Sequence, residues 1–253
     1  MDGFLSNFFN WELIKGAIPD VLSVGLPNTL ILSVISVLLG LLGGLLLAVM
    51  GTSRTKWLRW PARVYTDIFR GLPAVLTILI IGQGMAPVTS WLGPSPFPLA
   101  ILALALITAA YMGEILRSGI QSVGVGQMEA SRALGLSRGQ TMRLVIVPQG
   151  VRNVLPAMVN QFIAVLKDTS LVYFLGLTES ERELFRVGQD AAVTYANLSP
   201  LVTVGVVYLI ITIPLTFLVN FIDNRLRVGV RPKAKRTAAK MAFSTKGDIT
   251  RGV

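Results

Sequence analysis

Lys167, Asp168, Thr169 and Ser170 place an ammonium group, a carboxylate and two hydroxyls in one row, directly after a charge-free run over 153–166. A carboxylate can meet an α-amino group and hydroxyls can meet a carboxylate, so the set suits a zwitterion held inside a transport path. A Lys167–Asp168 arrangement that stabilises its own helix or a partner's weighs evenly against that reading. Lys167 and Ser170 at i, i+3 also form the one couple available for serine–lysine covalent chemistry, a spacing that is only permissive. Asp67 with Arg70, and Glu114 with Arg117, repeat the i, i+3 spacing of local ion pairs near the ends of apolar runs. Structural pairing weighs more than a path role there, although Arg70 remains a candidate for the path. The chain has no Cys and no His, which excludes thiolate chemistry, disulfides and the usual zinc sites. Without a Walker A pattern it has no loop of that kind to hold a nucleotide, and no metal site is expected.

The elements that must position these groups are apolar. The 253 residues are 53% hydrophobic and 14% charged, against about a quarter charged in soluble domains, so the fold expected is an all-α membrane protein. Uncharged stretches predict about five transmembrane helices, near 28–50, 64–81, 99–118, 153–175 and 201–222. In the first, Gly40 and Gly44 have the spacing that lets helices approach closely. Asn28, Thr29, Ser33, Asn160 and Gln161 are weak candidates for lining a path, since polar groups in spans more often join helices. Residues 54–63, basic with two tryptophans, read as an interfacial loop, and 82–98, rich in Gly and Pro, as a turn on the far side.

The net charge of +10 is unevenly placed. Segments 51–64, 114–152 and 223–253 hold 18 basic and 4 acidic residues, whereas 1–20, 82–98 and 178–190 hold 3 basic and 7 acidic. That bias predicts an external N-terminus and a cytoplasmic C-terminus. It also argues against a nucleic-acid partner, for which the basic residues lack interleaved aromatics and any module signature. The chain divides into three parts: an external lead-in (1–20), a membrane domain (21–227) and a basic tail (228–253) without periodic apolar pattern, expected to be disordered.

Between the third and fourth spans lies a polar, punctuated stretch. Met128, Glu129, Ala130, Ala133 and Leu134 favour helix, Gly135 supplies a left-handed C-terminal position, and Ser137 with Gln140 has capping-box spacing. A second helix from Ser137 should run to Val147, where Pro148 ends or kinks it. Such a helical hairpin in a cytoplasmic loop (125–148) reads as a docking element.

Glu129-Ala130-Ser131, then Gly135, then Val145-Ile146-Val147-Pro148 resembles the EAA loop of ABC importer permeases, with Ser131 for the second alanine and valines at 145 and 147. Phe69-Arg70-Gly71-x-Pro73, Pro148-Gln149 and Leu166-Lys167-Asp168-Thr169-Ser170-Leu171 resemble the polar amino-acid branch of that family. The likeness runs from about Gly25 to Arg227. Where that branch commonly has Thr and Gln, this chain has Leu72 and Thr77, departures that bear on specificity. The resemblance implies a type I importer permease in a bacterial inner membrane, a transport subunit and not an enzyme. It implies a second permease subunit, two ABC ATPase subunits carrying the ATP and Mg, an external substrate-binding protein and a polar amino-acid substrate. Glu129, Ala130, Ser131, Ala133, Gly135 and Pro148 would form the ATPase-coupling surface. An ion-coupled carrier and an intramembrane enzyme are the rivals; the first would need deep acidic residues and inverted repeats, and no repeat is found.

Overall fold

In the computed structural model, which describes residues 2–85, 87 and 95–228, every regular element is helical. Helices α1 (Asp2–Phe8) and α2 (Trp11–Asp20) lead through a π-turn at Val21–Gly25 into α3 (Leu26–Gly51). Then come α4 (Lys56–Gly71), α5 (Ala74–Gly84), α6 (Phe97–Ser122), α7 (Val125–Ala133) and α8 (Arg138–Thr141). A π-segment at Met142–Ile146 joins α8 to α9 (Val147–Asp168), and a 3-10 turn comes next at Thr169–Leu175. After a short turn at Glu179–Glu181, α10 (Leu184–Thr194) and α11 (Ser199–Val228) complete the fold. The expected disordered tail beyond Val228 lies outside the described residues, as do residues 86 and 88–94 of the expected external turn at 82–98.

Helix α6 is the axis. It packs on α3, α4, α5 and α9 and contributes Ala100, Ala103, Leu104 and Ile107 to a core completed by Leu32, Ile78, Ile81 and Val172. Small residues set how near the axes come. A Cβ at Gly40 would lie 2.6 Å from the Thr108 Cβ, and one at Gly44 2.7 Å from the Met112 Cβ. The expected close approach is therefore built, with Ser36 donating to the Ile101 carbonyl across the same seam at 3.2 Å. Lower down, Gly119 meets Gly150 of α9 just as tightly.

Three expectations need correction. The second span is not one helix: Leu72 is extended, Pro73 offers no N–H to continue the ladder, and α4 and α5 meet at 105°. The interfacial loop over 54–63 is instead the first half of α4, which is strongly amphipathic. Pro148 does not end its helix. It stands where the π-segment Met142–Ile146 passes into α9, and the widened turn takes up its missing N–H, so the chain stays helical from Arg138 to Asp168.

Among the described residues, three stretches are long and apolar enough to cross a membrane: Gly3–Gly51, Phe97–Ser122 and Ser199–Leu226. The bent pair α4–α5 makes a fourth if it counts as one span. Helix α9, the expected fourth of five, falls short because Arg152, Asn153, Asn160, Gln161 and Lys167 dilute it. It packs on α6 and α11.

Gly44→Leu should drive α3 from α6 and destabilise the detergent-extracted chain by roughly 1–3 kcal/mol, the usual cost of overpacking. Gly205→Ala, where an added Cβ meets nothing within 4 Å, should leave the melting temperature unchanged or raise it. Equal behaviour of the two variants would remove the seam from its central role.

Candidate functional site

The hairpin is fixed by local chemistry. Helix α7 closes with the Leu136 N–H donating to the Ser131 carbonyl at 3.2 Å and the Gly135 N–H to that of Arg132 at 3.0 Å. Gly135 has φ +84°, a left-handed conformation that glycine adopts without strain. The Arg132 guanidinium donates to the Leu136 carbonyl at 2.7 Å. The capping box forms in both directions: Gln140 N–H to Ser137 Oγ at 3.2 Å, and Ser137 N–H to Gln140 Oε1 at 2.7 Å.

Its surface divides cleanly. Glu129, Ala130, Ala133 and Gly135 are exposed, together with Leu134, which is 84% accessible. Ser131 is buried and donates to the Gln127 carbonyl at 2.7 Å, so it holds α7 together and faces inward. Pro148 is exposed in the first turn of α9. The hairpin thus leaves an apolar knob, flanked by one carboxylate and small residues, uncovered by the rest of the chain.

The path candidates fall into two groups. Arg70, at the end of α4, lies 3.7 Å from Glu114 and stacks over Tyr111 at 5.5 Å. Its expected partner Asp67 is not within ion-pair distance; the pairing with Glu114 wins because the bend after Gly71 turns Arg70 towards α6. Glu114 and Arg117 pair as expected, through two bonds at 2.9 and 2.7 Å. The second group sits where α9 gives way to the 3-10 turn: Lys167 is exposed, Asp168 half-buried, Thr169 buried and Ser170 half-buried. Among the described residues no ion pair joins Lys167 to Asp168, and no polar contact joins this group to Arg70.

Both hydroxyl protons at this break are engaged, Thr169 Oγ1 with the Leu166 carbonyl at 2.8 Å and Ser170 Oγ with that of Lys167 at 2.7 Å. The half-buried Ser170 oxygen remains an acceptor, so it suits an ammonium group better than a carboxylate, whereas Thr169 is wholly enclosed. Asn28 and Thr29 serve the fold. Asn28 donates to the Ser180 and Arg182 carbonyls at 2.9 and 3.0 Å, and Thr29 Oγ1 accepts the Leu184 N–H at 3.0 Å.

One functional group that spacing alone does not single out is Glu183. It caps α10, accepting the Phe185 and Arg186 N–H groups at 2.6 and 2.7 Å, and it is wholly buried. Burial pushes its carboxyl up to about 8 despite those bonds and nearby Arg186, with the Tyr208 hydroxyl enclosed beside it. A signal is nevertheless present in residues 178–190: Glu183 alone among the acids there immediately precedes a helix-period apolar pattern, as an N-cap does.

Residues 21–228 match the family described as "Binding-protein-dependent transport system inner membrane component". The arginine transport system permease protein ArtQ of Bacillus subtilis is 36% identical over 210 residues, 83% of this chain and 94% of that protein. The glutamine transport system permease protein GlnP of Escherichia coli K12 is 36% identical over 225 residues, 87% and 99% of the two chains. Among solved structures, an amino acid ABC transporter crystallised with histidines superposes with a TM-score of 0.73 at 33% identity, covering 82% of this chain and 94% of that one. The inward-facing MetNI methionine ABC transporter shares the fold, with a TM-score of 0.64 at 22% identity over 82% and 95% of the chains.

Glu183 keeps its proton in the folded chain up to about pH 8, while an unfolded chain releases it near 4.5. Between those values the folded state binds more protons, so stability should fall as pH rises through that window. Melting of the extracted chain should therefore drop between about pH 5 and about pH 9, and Glu183→Gln should flatten the slope while lowering stability at the acid end by weakening a cap. An unchanged slope in the variant would place the pH dependence elsewhere.

Proposed function

This chain belongs to the family of binding-protein-dependent transport system inner membrane components, and we propose that it imports polar amino acids across a bacterial inner membrane. It is a transport component, not an enzyme; ATP hydrolysis belongs to a separate subunit, and a substrate-binding protein is a further partner. The substrate class rests on relatives named for arginine, glutamine, and glutamate with aspartate. With so few spans, two permease subunits related by a two-fold or pseudo-two-fold axis enclose the path. Two ATPase subunits carry the ATP and Mg and dock from the cytoplasm; the binding protein docks outside, on the side of the N-terminus.

The carrying observation is the hairpin at 125–148 together with its unbroken continuation into α9. Glu129, Ala130, Ala133, Leu134 and Gly135 meet the ATPase, Ser131 braces α7 from within, and Pro148 lets the second helix enter the membrane domain unbroken. From Arg138 to Asp168 the chain stays helical for 31 residues, about 45 Å at the α-helical rise. Movement of the hairpin on ATP closure is thus delivered along one rod to Lys167, Asp168, Thr169 and Ser170. There Asp168 and the Ser170 oxygen receive the α-amino group, Thr169 bracing the break from within, and Lys167 receives the carboxylate. Arg70, held by Glu114 and Tyr111, lines the same path nearer the cytoplasm. Helix α9 counts as a fifth span in this reading, with its polar groups turned to protein and path.

Gly135→Val would force a β-branched residue into the left-handed region at a cost of about 1–2 kcal/mol and mis-aim both helices. Substrate-stimulated ATP turnover of the assembled transporter should fall at least ten-fold, on the order of the loss from a misplaced contact, while assembly survives. Unchanged turnover would defeat the coupling reading.

A further inference from the structure

Helix α4 carries a feature that coupling and transport leave unused. Lys56, Arg59 and Arg63 stand at i, i+3 and i+7, one stripe on one helix face. With Trp60 they line an open cleft of about 150 Å³ that contains no acid. Among the described residues, no ion pair within 4 Å engages any of the three. Like charges so spaced repel one another, so the bare stripe favours an anion. A separate cleft of about 90 Å³ beside it, where Arg59 and Arg63 meet Asp67 and Glu114, already has its acids and is not the better anion site.

The helix also lies in a revealing attitude. Residues from Arg59 to Arg70 face the second half of α6, from Leu106 to Arg117, and the end of α3 at Leu47 and Gly51. The chain then turns by 105° before α5 enters the apolar layer. Helix α4 thus crosses the C-terminal half of α6, with Arg59 and Arg63 beside Gly113, Glu114 and Arg117. Trp57 and Trp60 are 89% and 69% accessible, both uncovered by protein on this helix. Tryptophan beside lysine and arginine, on an amphipathic helix at this level, matches the headgroup region of a bilayer.

We propose that the Lys56–Arg59–Arg63 stripe of α4, with Trp57 and Trp60 beside it, binds the headgroup of an anionic phospholipid of the cytoplasmic leaflet. The guanidinium groups of Arg59 and Arg63 take the phosphate oxygens, Lys56 adds a third cation, and the indole rings sit against the glycerol and upper acyl region. Bound there, the lipid anchors the N-terminal half of α4 and, through that helix, holds the position of Arg70 at its other end. The inference rests on the orientation proposed above.

The test uses the full chain, with whatever subunits it retains, exchanged through nanodiscs of equimolar phosphatidylcholine and phosphatidylglycerol, with retained lipids counted by native mass spectrometry. Wild type should retain phosphatidylglycerol preferentially. Arg59→Gln with Arg63→Gln should lower that preference about five-fold per cation removed, while Arg143→Gln with Arg152→Gln should leave it intact. Equal loss in the two pairs, or no loss in the first, overturns the site. Loss of a protein subunit by the first pair with lipid retention unchanged also overturns it, and assigns the stripe to a protein contact. Orientation is read separately from Ser53→Cys, a single thiol in a chain without cysteine. Labelling of intact cells by an impermeant maleimide would sink the orientation and this inference together; protection with unselective lipid retention would sink this inference alone.

Discussion

The close approach of α3 and α6 is the contact on which the other positions depend. In a bilayer the lipid is as apolar as the side chains, so association rests on fit more than on escape from water. Gly40 and Gly44 let α3 lie against Thr108 and Met112 with no side chain between, and Ser36 adds a hydrogen bond across the seam. With α3 fixed, Asn28 and Thr29 can reach the 178–184 segment and hold α10. With α6 fixed, Gly119 receives Gly150, and α9 is aligned from its base. The hairpin and the polar break at 167–170 occupy the two ends of that aligned helix.

Helices inside a membrane must account for every backbone polar group, so irregularities need local repair. The repairs here are visible. At the end of α9 the Thr169 and Ser170 hydroxyls donate to carbonyls of the preceding turn, and Gly176 at φ +70° ends the 3-10 turn. At the top of α10 the Glu183 carboxyl satisfies two free N–H groups. Before Pro148 a π-turn absorbs the missing donor. Each repair sits at a junction between spans or next to the candidate site, where shape has to be defined to within a fraction of a turn.

Much of this is legible in the residues, and the rest is hidden for identifiable reasons. The hairpin depends on contacts within a few residues, so Gly135, Ser137 and Gln140 announce it from spacing alone. The Gly40/Gly44 seam is equally readable, because small residues at that spacing have one main use in a span. Long-range consequences are not. The bend at Leu72–Pro73 escapes a reading by composition because an apolar run has no direction, although a proline after an extended residue is a local signal. The Arg70–Glu114 contact depends on that bend, so i, i+3 spacing favours Asp67 instead. Pro148 misleads in the opposite sense: proline stops a regular helix interior, and only the π-turn before it takes up the missing N–H here.

The charged groups of α4 and α6 show how one bend organises electrostatics. If α4 ran on straight into α5, Arg70 and Asp67 would descend into the apolar layer, where an ionised group without partners is expensive. Turning by 105° instead keeps both at the level of Glu114 and Arg117. Glu114 then faces Arg117 at 2.7 Å and Arg70 at 3.7 Å. One carboxylate thereby anchors two guanidinium groups from different helices. Because the Arg117 bonds are short and paired while the Arg70 contact is long and single, Arg117 is the fixed member and Arg70 the one able to exchange partners. A half-exposed cation held between a carboxylate and an aromatic ring suits the path role proposed for it.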